Sequence, residues 1–165
     1  MSKARLWKGF VVGAAMAAAI SVGLVWATPG SGTMSVLIGR ATFDEEFKVK
    51  RVGADDWEVE VEAGPALDIA VQRIVFQPGG QSGWHSHPGP VFISVVEGTM
   101  TFYESGDPDC APIVRHAGEG YLDVGDHAHI ARNETLEPAT NVVTYLAPPG
   151  SGLRIDQPQP THCPF

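Results

Sequence analysis

The stretch Gly79-Gly80-Gln81-Ser82-Gly83-Trp84-His85-Ser86-His87-Pro88-Gly89-Pro90, followed at once by Val91-Phe92-Ile93-Ser94-Val95-Val96-Glu97-Gly98, decides how this chain folds. It places two imidazoles on a short extended segment between a glycine-rich loop and an apolar run. Side chains at i and i+2 of a strand share one face, so His85 and His87 can grip a single ion. Trp84 alternates with them and is expected to point away, into packing. Farther on, His129-Ile130-Ala131-Arg132-Asn133 offers a third imidazole on another apolar stretch. Only a closed sheet brings it back to the first two. Three histidines around one ion leave coordination positions open, which is how catalytic sites are built.

The rest of the chain is consistent with such a sheet. Short β-rich runs recur between turn signals at 35–38, 47–52, 69–76, 91–96, 100–103, 113–116, 121–124 and 142–146. No stretch beyond the N-terminus sustains a 3.6-residue period, so helices are at most short. Short strands at this spacing, punctuated by 19 Gly and 13 Pro, predict a sandwich or barrel. Glu97-Gly98 reads as a two-residue hairpin loop. That hairpin would set Val95 opposite Met100, Ile93 opposite Phe102 and Val91 opposite Glu104. Its inward face, Val91, Ile93, Val95, Met100 and Phe102, would then line a pocket next to the histidines.

These residues resemble the cupin family. Its first motif runs Gly, five residues, His-x-His, three or four residues, Glu, six residues, Gly, and here Gly79, His85, His87 and Gly98 fall on it. Its second motif runs Gly, ten residues, His, three residues, Asn, matched by Gly118, His129 and Asn133. The chain departs from the pattern at Val91, where cupins usually carry a metal-binding glutamate, at Val124, where the second motif has proline, and at Gly125, one place early. The motifs span residues 79–133, and a likeness to secreted bacterial cupins extends to the C-terminus. The resemblance implies an all-β jelly-roll barrel and three histidine ligands, His85, His87 and His129. They would hold one divalent ion, Fe, Mn, Zn or Ni. The fourth, anionic ligand is left open. His127 would share the face of His129 in a regular strand, and Glu104, the expected neighbour of Val91, carries a carboxylate; both are candidates for the vacancy. Without either, three neutral imidazoles leave the ion at full charge, which favours an anionic substrate or hydroxide. His116 and His162 lie in polar contexts and are expected at the surface. Asn133 is expected to satisfy backbone groups at a strand end.

Composition bounds the remaining choices. At 165 residues with 44% apolar content, the chain is one domain plus an N-terminal extra. Lys3, Arg5 and Lys8 precede an uncharged run from Gly9 to Ala27 that ends Val25-Trp26-Ala27. This reads as a signal peptide over 1–27, the alternative being an uncleaved membrane anchor. A linker is expected over 28–34 and the cupin domain over 35–165, with a Pro-rich tail wrapping the surface. Cleavage removes three of the 11 basic residues and none of the 19 acidic ones, leaving a net charge of −11. Such a domain repels phosphate backbones and anionic headgroups, which argues against nucleic acid and against any membrane partner beyond the anchor. The two cysteines, Cys110 and Cys163, read as one bridge in a secreted or periplasmic compartment, the alternative being two unpaired thiols.

Two functions fit. The first is a metal-dependent oxidoreductase, dioxygenase-like, that binds substrate and O2 together on the open positions; the second is a non-enzymatic module holding a metal or small ligand. No general acid or base with a neighbouring orienter stands near the histidines in sequence. A small molecule is the expected partner in both, and a homodimer is allowed.

Overall fold

The computed structural model describes residues 27–165, so the segment read as a signal peptide or anchor lies outside the described residues apart from Ala27. The described chain is all-β. Its strands are β1 (Ser31–Phe43), β2 (Phe47–Val52), β3 (Glu58–Ala63), β4 (Leu67–Gln81), β5 (His85–Ser86), β6 (Val91–Glu97), β7 (Thr99–Glu104), β8 (Ile113–His116), β9 (Gly120–Asp123), β10 (His129–Arg132), β11 (Ala139–Ala147) and β12 (Ile155–Asp156). Ten of them form one sheet curled into a jelly-roll barrel, and β2 and β3 stand apart as an antiparallel pair.

Alternation decides what faces inward. In β6, Val91, Ile93 and Val95 are buried while Phe92, Ser94 and Val96 are not, and β9 buries Tyr121 and Asp123 in the same rhythm. Both edges of β6 are taken. On one side Val91 pairs with Tyr145 and Ile93 with Val143 of β11; on the other Val91 pairs with Asp123 and Ile93 with Tyr121 of β9. The expected hairpin between β6 and β7 is therefore corrected. Glu97-Gly98 is a corner through which the chain leaves one layer for the other, and β7 pairs instead with β10 and β8. Gly98 has φ +74°, and a Cβ there would lie 2.7 Å from the Pro138 carbonyl oxygen, so both conformation and space require glycine.

Two further sequence expectations change. The stretch expected as a linker is partly strand, because β1 begins at Ser31 and ladders along β4 from Ser31 opposite Gln81 to Phe43 opposite Leu67. Arg40 and Thr42 of β1 both donate to the buried Asp68 carboxylate, at 2.6 Å each, and the Gly150 amide donates to it as well. These bonds, led by that of Thr42, hold the Asp68 carboxyl below its usual range. The strand β3 was not expected, although its Glu-Val-Glu-Val-Glu alternation is a period of two. It meets β2 through Lys48–Glu60, Lys48–Glu62 and Lys50–Glu58 pairs, which are exposed and contribute little to stability.

The apolar interior divides into two clusters. The larger fills the barrel and includes Ala70, Phe76, Val91, Ile93, Val95, Met100, Phe102, Tyr121, Val143 and Tyr145. The smaller lies behind β5 and β10 and consists of Trp84, Tyr103, Cys110, Ile130 and Cys163 with Phe165 against it. Cys110 and Cys163 form a disulfide that closes a loop with a sequence separation of 53. In the chain-entropy account a loop of that size contributes about 4 kcal/mol. The tail thus pinned lays β12 against β5, and the Gln157 amide donates to the Trp84 carbonyl.

Candidate metal centre

The His-x-His segment is a two-residue strand wedged between neighbours, with His85 opposite His129 of β10 on one side and Asp156 of β12 on the other. Gly83 just before it has φ +71°, and any Cβ there would collide with the Thr28 carbonyl. That turn aims the two imidazoles inward and leaves Trp84 outward, fully buried in the smaller cluster with its indole N–H donating to the Phe165 carbonyl at 2.9 Å. The expectation for Trp84 as a packing residue agrees with this placement.

His85, His87 and His129 converge. All three are buried, and their candidate ligand atoms lie within 4.8 Å of one another. The rings sit edge-on, with centroids 4.8 Å apart for His85 and His87 and 4.5 Å for His85 and His129. Nδ1 of His85 engages the Gly83 carbonyl at 2.8 Å and Nδ1 of His87 the Leu153 carbonyl at 2.6 Å. A ring whose Nδ1–H is spent on a carbonyl presents Nε2 as the free donor to an ion. Burial, reinforced by the neighbouring His129, pulls the His85 pKa down to about 2 and that of His87 to about 4. Both rings are neutral at neutral pH, the form that binds metal.

Directly beside them stands a carboxylate that sequence reasoning missed. Asp123 is 4% exposed, and its Oδ2 lies 2.9 Å from Nδ1 of His129 and 3.7 Å from Nε2 of His87. Its Oδ1 accepts from the Gly125 amide at 2.8 Å. Burial opposes its ionisation, yet the close approach of the His129 ring, the Gly125 amide and the His87 ring outweigh burial and hold its carboxyl below the usual range. The signal was present in the alternation of β9: with Tyr121 inward, Asp123 is inward too.

Of the two residues considered for the fourth position, Glu104 stands opposite His129 in the β7–β10 ladder but turns its carboxylate to Tyr121, and His127 lies outside the strand. Glu104 accepts from the Tyr121 hydroxyl at 2.8 Å, and His127 is 40% exposed, its Nδ1 paired with Asp126 and its Nε2 3.9 Å from Glu104. Neither belongs to the three-histidine group. For His127 the physical reason is that the segment before β10 is a bend rather than strand, so it does not share the face of His129. His116 and His162 are exposed. Asn133 spends its amide on the carbonyls of Phe76 and Glu137, and its Oδ1 on Thr135, as a strand-end residue should.

A cavity of about 680 Å³ opens beside the histidines. Its wall includes His85, His87, Gln72, Phe76, Tyr145 and Arg154. Val91, Ile93, Val95, Met100 and Phe102, expected to line the pocket, are instead buried in the larger core cluster. The correction follows from the missing hairpin: the cavity lies on the side of β4, β11 and the tail, and β7 is across the barrel. Tyr145 donates to Gln72 at 3.0 Å, and burial raises its pKa to about 12, so it is a hydrogen-bond donor and no base at neutral pH. Arg154 pairs with Asp156 through Nε at 2.5 Å, which leaves its terminal nitrogens for a ligand.

Fold and site together define a small β-barrel with a histidine cluster at one end. Residues 72–145 match the family described as Cupin domain, and the chain carries a cupin domain over them. No curated relative matches the chain. Among solved structures it is similar to a conserved protein with a double-stranded β-helix domain from Klebsiella pneumoniae, at 18% identity over 68% of this chain and 85% of that one, with a TM-score of 0.46. It is likewise similar to the oxalate oxidase of one solved structure, at 25% identity over 53% and 45% with a TM-score of 0.45. A third likeness is to the DMSP lyase of Ruegeria pomeroyi, at 17% identity over 53% and 42% with a TM-score of 0.46.

Proposed function

We propose that this is an extracytoplasmic metal-dependent oxidoreductase, dioxygenase-like, acting on a small anionic molecule at a divalent ion held by His85, His87 and His129. The observation that carries the reading is the pairing of three buried imidazoles with a cavity that has an arginine in its wall. The donor set fits an ion: His85 and His87 are neutral, each with Nδ1 anchored, and two buried polar atoms at the same spot, Nδ1 of His129 and Oδ2 of Asp123, have no hydrogen-bond partner. A divalent ion there would supply Lewis acidity and open positions for substrate and O2. The chain itself binds and orients. Arg154 offers charge-assisted hydrogen bonds to a carboxylate, and the side-chain N–H groups of Gln72, whose oxygen accepts from Tyr145, offer neutral ones. Phe76, Ile74 and Leu153 make part of the cavity wall apolar. The Cys110–Cys163 bridge supports an oxidising compartment, and with it the reading of the N-terminal segment as a signal.

The test is oxygen consumption by Fe(II)- or Mn(II)-loaded protein offered a panel of small carboxylates. Metal-dependent consumption with at least one member, lost in His87→Ala and weakened about tenfold in apparent affinity by Arg154→Gln, supports the reading, since a charge-assisted bond is worth about 1.5–3 kcal/mol. If metal-loaded protein binds a carboxylate without turning it over, the chain is a ligand-holding module and the oxidoreductase reading is withdrawn.

A further inference from the structure

We infer that Asp123 is the fourth, anionic ligand of the metal centre, taking from a neighbouring strand the place that Val91 leaves without a carboxylate. The inference rests on the three-histidine reading above and extends it. Three independent features of the structure converge on it.

The first is register. Val91 occupies the position of the missing glutamate, and Asp123 is its direct partner across the antiparallel β6–β9 ladder. Residues directly opposite in such a ladder point to the same face with Cβ atoms about 4.5–5.5 Å apart. Both are buried, Val91 at 1% and Asp123 at 4% exposed. A carboxylate on one strand therefore reaches the space that a carboxylate on the other would have reached. The second is satisfaction. Nearly all buried polar atoms have a partner. Here Asp123 Oδ2 and His129 Nδ1 are both buried and both without a hydrogen bond, although only 2.9 Å separates them. An aspartate that merely oriented the imidazole would accept a hydrogen bond from Nδ1–H, and none is formed here. Two buried ligand atoms about 3 Å apart with no hydrogen bond between them form the arrangement that a shared cation produces when each bond is 2.0–2.2 Å long. The third is convergence. The same Oδ2 lies 3.7 Å from Nε2 of His87, the nitrogen its anchored ring presents. Oδ1 is already held by the Gly125 amide, so the carboxylate is oriented with Oδ2 toward the histidines.

The chemical consequence is a change of charge. Three neutral imidazoles leave a divalent ion at plus two; a carboxylate lowers the centre to plus one and adds a hard oxygen donor, which suits Mn(II) and Fe(II) better than an all-nitrogen set does.

The experiment titrates Mn(II), and separately Ni(II), into metal-free protein by competition with a chromogenic chelator, for the unaltered chain, Asp123→Asn, and Asp123→Asn with Val91→Glu. Asparagine keeps the Oδ1 bond to Gly125 and removes the charge, and thermal melts report whether each variant is folded. The expected result is a loss of about a hundredfold or more in Mn(II) affinity for Asp123→Asn, with a smaller loss for Ni(II), which imidazole alone suits. Adding Val91→Glu should return Mn(II) affinity to within about tenfold of the starting value. Equal losses for the two ions, or no loss, would show that Asp123 only steadies His129 and overturn the assignment, as would a folded double variant without rescue. Should the double variant fail to fold, the comparison of the two ions decides alone. A failure of the unaltered chain to bind either ion would instead remove the three-histidine reading, and Asp123 with it.

Discussion

The two faces of the segment from Gly83 to His87 are one residue out of phase and have opposite physical characters. Inward lie His85 and His87, polar groups at the edge of a cavity, next to buried atoms that protein alone leaves unsatisfied. Outward lies Trp84, wholly buried, its one polar atom bonded to Phe165, in an apolar cluster locked by a disulfide. Alternation along a strand separates the two tasks completely. The outer face contributes stability and nothing to chemistry; the inner face holds chemistry at some cost in stability. The difference teaches that the tail serves both faces: it lays β12 on β5 beside the histidines and contributes Cys163 and Phe165 to the outer cluster.

Changes on the two faces should therefore separate in their effects. Inner-face substitutions come first, because they should abolish binding. His85→Ala, His87→Ala or His129→Ala should each weaken metal binding by more than about 100-fold, the upper end of what removing an outer partner of a ligand costs. Each should leave the metal-free melting temperature close to its original value, whereas His116→Ala should alter neither quantity. Equilibrium dialysis with metal analysis beside a thermal melt reads both. Full occupancy after His87→Ala would break the comparison. On the outer face, Trp84→Ala should destabilise the metal-free protein by about 3–5 kcal/mol, as large-to-small changes at fully buried aromatic sites do. Urea titration measures it, and a loss under 1 kcal/mol would mean that the outer cluster is not a core. Reducing the Cys110–Cys163 bridge comes next. The chain-entropy contribution of about 4 kcal/mol is a ceiling, because a reduced tail still packs and the unfolded chain retains structure.

The effect of pH is graded rather than all-or-none. Folded His85 and His87 titrate near 2 and 4, below their ordinary value of 6.5. Between pH 6.5 and about 4 the unfolded chain takes up protons that the folded one refuses. Stability of the metal-free protein is then full above 6.5 and falls as the pH falls, by up to about 1.4 kcal/mol per pH unit for each ring. Urea midpoints at pH 7.5, 6 and 5 should decline in that order. Midpoints that rise toward acid would contradict the burial of the two rings.

Much of this was legible in the sequence, for reasons that the exceptions sharpen. The His-x-His spacing and the strand containing His129 were readable because strand period and ligand geometry act over a few residues. β2 and β8 fall where their apolar runs predict, at Phe47–Val52 and Ile113–His116. The partner of β6 was not readable. A two-residue Glu97-Gly98 connection looks the same whether the chain folds back beside itself or crosses to another layer, and only the competing claims of β9 and β11 on the edges of β6 decide it. The pocket wall was misplaced with it. Arg154 and Gln72 reach the cavity through pairings far apart in sequence, which no local pattern reveals. Asp123 was different: an acidic residue on the buried beat of a short strand is a local signal.

The most direct test of the central claim is the metal content of the purified protein, measured by elemental analysis after extensive dialysis at pH 7.5 and repeated on the protein with all three histidines changed to alanine. The account predicts close to one divalent ion per chain in the first and essentially none in the second. An unaltered protein that neither retains nor takes up an ion, with its melting temperature indifferent to added Mn(II), Fe(II), Zn(II) and Ni(II), would contradict it.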